Sequence, residues 1–262
     1  MDASVYADER NTPDDVIVAS SYAGVTPVRM LMEIGPRGFI GHDACGDRHG
    51  GAVAGLAYLE ALGVPSAAAD GMTAELGNGE DLYLSGVVSI ANETAISCGV
   101  EVGMPVSEAA EALMTNDPRP STSEVSRERD VVQTAEGRSV VVTDSILFAG
   151  PEDRDRNVLV VGGFTGRTSV EFFLHVSPLA FIASDGGRAK NDSGIVGLAI
   201  AETAGLPGAS VDAKTAPMGD GMAAYRSGVI SAVNKQARDL GVVEGMTVAE
   251  AATRLLAGAA GP

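Results

Sequence analysis

GVPSAAADGMTAELGNG (63–79) and GLPGASVDAKTAPMGDG (205–221) are one passage written twice. Working outward from it, residues 15–113 fall on 157–255 at a constant offset of 142 without a gap, and 37 of the 99 paired positions are identical. YLSGVVSIAN (83–92) lies over YRSGVISAVN (225–234), and GVEVGMPVSEAAEAL (99–113) over GVVEGMTVAEAATRL (241–255). Self-similarity at a fixed offset reads as tandem duplication. A fainter echo, DASVYA over DSILFA, extends each copy towards its N-terminal side. The expected division is a first α/β repeat over 1–113, a linker over 114–142 containing TNDPRPSTSEVSRERD, and a second repeat over 143–262. SVVVTDSILFAG (139–150) reads as strand structure leading into the second copy.

Each copy alternates strands and helices. VIVASS (16–21) and VLVVGG (158–163) are short β-branched runs, followed by GFIGHD (38–43) and AFIASD (180–185), then VPSAAAD (64–70) and LPGASVD (206–212). Helical stretches such as AVAGLAYLEALG (52–63) and IVGLAIAETAGL (195–206) separate them. Apolar strands alternating with helices predict βαβαβα units with parallel sheets covered on both faces, the two copies related by a pseudo-twofold. In open α/β sheets ligands bind beyond the strand carboxyl ends. Ser20, Ser21, His42, Asp43 and Asp70 fall there in copy one, and Gly162, Gly163, Thr165, Asp185 and Asp212 in copy two.

Composition narrows the function. The 262-residue chain is 45% hydrophobic and carries a formal charge of −17. Phosphate backbones and anionic membrane surfaces select basic surfaces, so nucleic acid and membrane are not expected partners. Two cysteines are too few for a disulfide framework, and MDASVYADERNTPDD has neither the basic nor the apolar segment of a signal peptide, which points to the cytoplasm. Gly/Ala-rich helices leave self-association into a homo-oligomer open.

The loops that follow the second strands carry the candidate chemistry. HDACGDRHGG (42–51) holds two of the three histidines, and its counterpart SDGGRAKNDS (184–193) holds none. Asp43 and Asp185 match, as do Asp70 and Asp212; each is either a turn-holding residue or a ligand contact. Arg48 aligns with Lys190 and His49 with Asn191. H-D-x-C-x-D-x-H offers donors for a divalent metal at His42, Asp43 and His49, although it matches no standard zinc spacing. The same histidines suit acid/base work beside a carboxylate. Cys45 as nucleophile and a Lys190–Ser193 pair are lesser alternatives. In copy two, glycines beside Arg188 and Lys190 at a helix start, with Arg167 nearby, suit an anion. Neither a P-loop nor a G-x-G-x-x-G fingerprint is present, so no nucleotide cofactor is indicated. Asn78 and Asp220 read as helix caps after G-x-G turns, with Tyr83 and Asn92, and Tyr225 and Asn234, placed on the helix that follows. Glu75 and Lys214 are unmatched residues near the presumed mouth.

The resulting expectation is a small-molecule enzyme whose site draws on both repeats. His42, Asp43, His49, Asp185 and Lys190 would be catalytic, and Ser20, Ser21, Arg48, Thr165, Arg167, Arg188, Asp70 and Asp212 would bind substrate. Hydrolysis of an amide-type C–N bond in a polar anionic metabolite is the first reading. Proton-transfer lyase or isomerase chemistry on a small carboxylic acid, or metabolite binding without catalysis, are the alternatives.

Overall fold

Runs of β-branched residues bounded by small residues and prolines become strands wherever both faces find apolar cover. In a computed structural model that describes residues 10–117 and 126–258, the chain is mixed α/β, with two mostly parallel sheets of four and six strands and ten helices. Residues 1–9, 118–125 and 259–262 lie outside the described residues, and with them the echo DASVYA, most of the N-terminal stretch and the middle of the expected linker. The described chain forms two compact units. Unit 1 holds 10–46, 50–117, Ser126 and 189–191; unit 2 holds 47–49, 127–188 and 192–258.

In unit 1, β1 (Val16–Tyr22), α1 (Val25–Leu31), β2 (Gly38–His42), α2 (Gly55–Ala61) and β3 (Ser66–Ala69) alternate. They are followed by α3 (Gly79–Ser85), β4 (Val88–Ala91), α4 (Glu93–Ser97) and α5 (Val106–Leu113). The sheet order is β1-β2-β3-β4, with β1, β2 and β3 parallel and β4 antiparallel to β3. Successive side chains point to opposite faces. Ile17, Ala19 and Phe39 therefore pack under α1 and α2 with Leu31 and Leu59, while Val18, Ile40 and Ala67 pack against Leu82 and Leu113 of α3 and α5. Each face is closed by helices, as uninterrupted apolar strands require.

Unit 2 begins with a hairpin, β5 (Arg129–Ala135) and β6 (Arg138–Thr143), turned by Glu136 and Gly137 at φ 52° and 77°. Two successive positive φ values match the twist of the flanking strands. Then come β7 (Asn157–Phe164), α6 (Arg167–Val176), β8 (Ala180–Ser184), α7 (Val196–Thr203) and β9 (Gly208–Val211). After them lie α8 (Gly221–Ser227), β10 (Ile230–Val233), α9 (Lys235–Asp239) and α10 (Val248–Gly258). The order is β10-β9-β8-β7-β6-β5, with β6 parallel to β7. So the stretch expected as a linker over 114–142 contains a hairpin that belongs to the second sheet. Val140 and Val142 join the core with Val158, Val160 and Leu256 on one face, and Val141 joins Leu159 and Phe173 on the other.

The fourth strand of each alternation is a second departure. Tyr83 and Tyr225 lie on helices as expected, but Asn92 and Asn234 do not: α3 and α8 stop at Gly86 and Gly228, and antiparallel strands intervene. Both glycines have extended backbones, which end the helices, and a Cβ on Gly86 would meet Val106 at 2.8 Å, so the close approach there requires glycine. Asn92 and Asn234 follow β4 and β10 and start α4 and α9. Asn92 Oδ1 accepts from Ala95 N and Ser66 N, each at 2.9 Å, and its Nδ2 donates to Val64 O at 2.9 Å. Asn234 repeats this with Ala237 N, Gly208 N and Leu206 O at 3.0, 3.0 and 2.8 Å.

Each asparagine thus joins a helix cap to the start of a buried parallel strand. Removing it leaves two N–H groups and one carbonyl buried without partners, at roughly 1–3 kcal/mol per group. Asn92→Ala and Asn234→Ala are each expected to lower stability by about 2–4 kcal/mol, read from the urea midpoint, and a change below about 0.5 kcal/mol would contradict this assignment.

Candidate functional site

Past β2 and β8 the chain enters the left-handed region. Ala44, Cys45 and Gly46 have φ of 50°, 56° and 67°, and Gly186, Gly187, Arg188 and Ala189 have 58°, 64°, 67° and 55°. For residues with a Cβ this conformation is unfavourable and persists only where surrounding contacts enforce it. A carboxylate enforces it in each unit. Asp43 Oδ1 accepts from Cys45 N and Gly71 N, both at 2.8 Å, and Oδ2 accepts from Ser89 Oγ at 2.8 Å. Asp185 accepts from Gly187 N and Ala213 N at 3.0 Å and from Ser231 Oγ at 2.9 Å. These aspartates hold the loops after the second and third strands against the fourth. Both oxygens are occupied, which gives Asp43 and Asp185 a positioning role.

His42 is fully buried. Its Nδ1 accepts from Ala44 N at 2.9 Å, so its Nε2 carries the proton and donates to Ala74 O at 3.0 Å. Burial holds its pKa below the usual 6.5, against the raising effects of the Ala74 bond and of Asp43, Asp70 and Asp81. A neutral ring with both nitrogens bonded to main chain has no lone pair for a substrate or a metal. The residue opposite, Ser184, accepts from Gly186 N at 3.2 Å, so imidazole and hydroxyl perform one loop-holding task.

Several other expected contacts are also internal. Ser20 Oγ donates to Glu75 O at 2.6 Å and accepts from Gly77 N at 3.1 Å. Thr165 is fully buried and its hydroxyl faces the carbonyls of Ala183 and Ser184. Ser21 is buried as well. Asp70 and Asp212 close equivalent turns by accepting from Met72 N and Lys214 N at 2.8 Å. Asn78 and Asp220 cap α3 and α8 as expected, at 3.1 and 2.7 Å.

The cations separate. Lys190 belongs to unit 1, where its N–H donates to Gly71 O and its Nζ to Thr73 O and to both oxygens of Asp81, at 2.9 and 3.0 Å. Burial raises the Asp81 pKa, but hydrogen bonds from Lys190, Glu75 N and Ser85 outweigh it and leave the group lowered. Glu75 beside it accepts from Asn78 and Asn191. This edge of unit 1 is neutralised internally. Arg167 and Arg188 belong to unit 2. Arg188 pairs with Asp192 at 3.5 Å and reaches Ser231 O, whereas Arg167 is exposed at the start of α6. Among the described residues Arg167 has no acidic partner. Gly166, the N-cap of α6, supplies no side-chain acceptor, so first-turn N–H groups are available beside that guanidinium.

Unit 2 also contains Asp47, Arg48 and His49. Arg48 N donates to Ala213 O at 2.8 Å and its guanidinium to Thr215 O at 2.7 Å. Its Nε donates to Nε2 of the exposed His49 at 3.2 Å, which leaves the His49 proton on Nδ1. Asp47 accepts from Met218 N at 2.5 Å. That bond begins a four-residue turn, 218–221, whose Gly219 N donates to Gly162 O at 2.8 Å and whose Gly221 N donates to Asp144 at 2.9 Å. Asp144 follows β6 directly. Burial, and then the negative charges of Asp220, Glu128 and Asp130, raise its pKa against the lowering effect of the Gly221 bond.

Beyond the carboxyl ends of the second sheet's strands stand Asp144, whose pKa burial raises, and Arg167, while Arg48, beside His49, bonds the loop after β9. Asp144, Asp81, Ser89 and Ser231 escaped the sequence reading; Asp144 lies outside the ungapped match, and the others act on loops distant in sequence. Among the described residues no three His, Cys, Asp or Glu side chains gather as a metal site, so the set His42, Asp43 and His49 does not form one there. Among these residues no helix is long and apolar enough to cross a membrane. Comparison with protein-family models, curated proteins and solved structures finds no significant match.

The His42 geometry has a pH signature. Its folded-state pKa lies below the unfolded value, so the stability it contributes is complete above about pH 6.5 and is lost as pH falls through the folded value. His42→Ser, which installs the residue found in unit 2, is expected to flatten the stability-versus-pH curve between about pH 6.5 and 5. An unchanged slope, followed by urea unfolding, would show that the proton is taken up elsewhere.

Proposed function

We propose that the protein is a small-molecule enzyme acting on an anionic metabolite at the carboxyl edge of the second unit's sheet. The observation that carries this reading is Asp144, a carboxyl raised by burial and by acidic neighbours at a strand end where ligands bind in α/β folds. Arg167 and the first-turn N–H groups of α6 would hold the anionic group, and Arg48 would orient His49.

Hydrolysis of an amide-type C–N bond fits these residues better than lyase or isomerase chemistry. Carbanion-forming steps favour a water-excluded base, whereas His49 is exposed and has an unprotonated Nε2 that can exchange its Arg48 contact for water. In this scheme His49 takes a proton from water as the oxygen attacks the carbonyl carbon. The C–N bond then breaks, the leaving nitrogen takes its proton from Asp144, and the proton on His49 passes back to Asp144 through solvent, restoring both groups. Two units built by tandem duplication are part of the same proposal. Ungapped matching and the paired bonds of Asp43 with Asp185 and Asn92 with Asn234 support it. A cytoplasmic location rests on the sequence reading and on the absence of a disulfide among the described residues.

A second reading, metabolite binding without turnover, is favoured by His42, whose nitrogens are both bonded to main chain. A panel of N-acyl and N-carbamoyl carboxylates separates the two, assayed for amine or ammonia release and for thermal shift. We expect release that falls about 10²–10⁴-fold in His49→Ala and in Asp144→Asn. Ligands that raise Tm without being turned over would establish the binding reading, and neither effect would refute both.

Asp144→Asn has a second, opposite expectation. A raised folded pKa means that this carboxyl costs stability at pH above its unfolded value, and the amide keeps the acceptor for Gly221 N. Tm at neutral pH is expected to rise by about 2 °C while turnover falls, as when a group is strained for function. Loss of both Tm and turnover would make Asp144 a structural residue instead.

A further inference from the structure

Strand β1 is an edge of the first sheet: among the described residues it pairs with β2 alone. Alongside it lies a cleft of about 210 Å³ lined by Val16, Val18, Tyr83, Ala110, Glu111 and Met114. Positions 142 residues on are Val158, Val160, Tyr225, Ala252, Thr253 and Leu256, and in unit 2 that place is filled. There β6 pairs in parallel with β7, and Val140 and Val142 pack into one core with Val158, Val160, Ala252 and Leu256. The β5 side chain Gln133 accepts from Thr253 at 3.0 Å. Exposure records the difference: Met114 is 50% exposed and Leu256 3%.

We propose that β1 is a docking edge for an extended segment of a basic partner, which adds a parallel strand as β6 does in unit 2. Main-chain hydrogen bonds would supply affinity, and β-branched side chains at alternate positions would enter the cleft. Charge selects the partner. Glu111 stands at the rim where unit 2 has the neutral Thr253, and a chain of net charge −17 repels a second copy of itself while attracting a cationic segment. The occupant is therefore a strand with the V-x-V pattern of SVVVT (139–143) flanked by Lys or Arg, not another molecule of this protein.

The test uses the full chain and a fluorescent peptide with the sequence of residues 138–143 flanked by lysines, followed by anisotropy. We expect saturable one-to-one binding, weakened at least tenfold by Met114→Glu in the protein and by proline at the Val141 position of the peptide. Met114 is half exposed, so its substitution should leave Tm within about 1 °C. A peptide that displaced β6 in unit 2 would be indifferent to Met114→Glu, and that result overturns the proposal. So does an absence of saturable binding. Concentration-dependent self-association abolished by Met114→Glu would assign the edge to a second copy and overturn the basic-partner assignment.

Discussion

A single carboxylate in each unit makes the rest of the edge possible. Left-handed backbone at Ala44 and Cys45, or at Arg188 and Ala189, costs on the order of 1–3 kcal/mol per residue. Hydrogen bonds to a charged acceptor contribute roughly 1.5–3 kcal/mol each, and Asp43 and Asp185 accept three apiece. Three such bonds together outweigh two such residues. Because those donors lie on the loop itself, on the loop after the third strand and on the fourth strand, the carboxylate also sets their spacing.

On that shared frame the two units attach different groups. Lys190 and Arg48 stand at matched positions and reach matched carbonyls, Thr73 O and Thr215 O. What surrounds them differs. Asp81 neutralises Lys190, while the position 142 residues on is Ala223, and Arg48 turns to His49 instead. A residue kept in both units thus proves to be a scaffold element, and chemistry follows from the neighbours that are not kept. The distinction explains why His42, conspicuous as one of three histidines, does the same work as a serine.

Periodicity made the alternating strands legible, since β-branched runs between Gly and Pro have few other uses. The caps at Asn78 and Asp220 were equally plain, because a cap is a local interaction within three residues. The antiparallel strands β4 and β10 were not legible: VSIA and ISAV continue a helical stretch until Gly86 and Gly228 are seen to be extended, at a close approach that only glycine fits. The roles of the loop cations were hidden for another reason. Lys190 meets Asp81 at a separation of 109 residues, and no spacing rule anticipates a partner at that distance. His42 misled because the residue type suggests titration, while burial and two main-chain bonds suppress it. Asp144 was overlooked because it has no partner inside the ungapped match.

The hairpin β5–β6 connects the structural and functional asymmetries. It closes the side of β7 that would otherwise be an open edge, and its last residue, Thr143, delivers Asp144 to the carboxyl ends of the strands. The edge of β1, unpaired among the described residues, and the carboxyl at the end of β6 thus follow from one difference between the units. Among the described residues the first unit adds no strand beside β1, whereas the second gains a side chain from the strand it adds beside β7. Burial by the hairpin and the close approach of Asp220, Glu128 and Asp130 then raise that carboxyl, which an uncovered edge in open water would not do. The raised pKa of Asp144 is in this sense a property of the added strands rather than of the arrangement that the two units have in common.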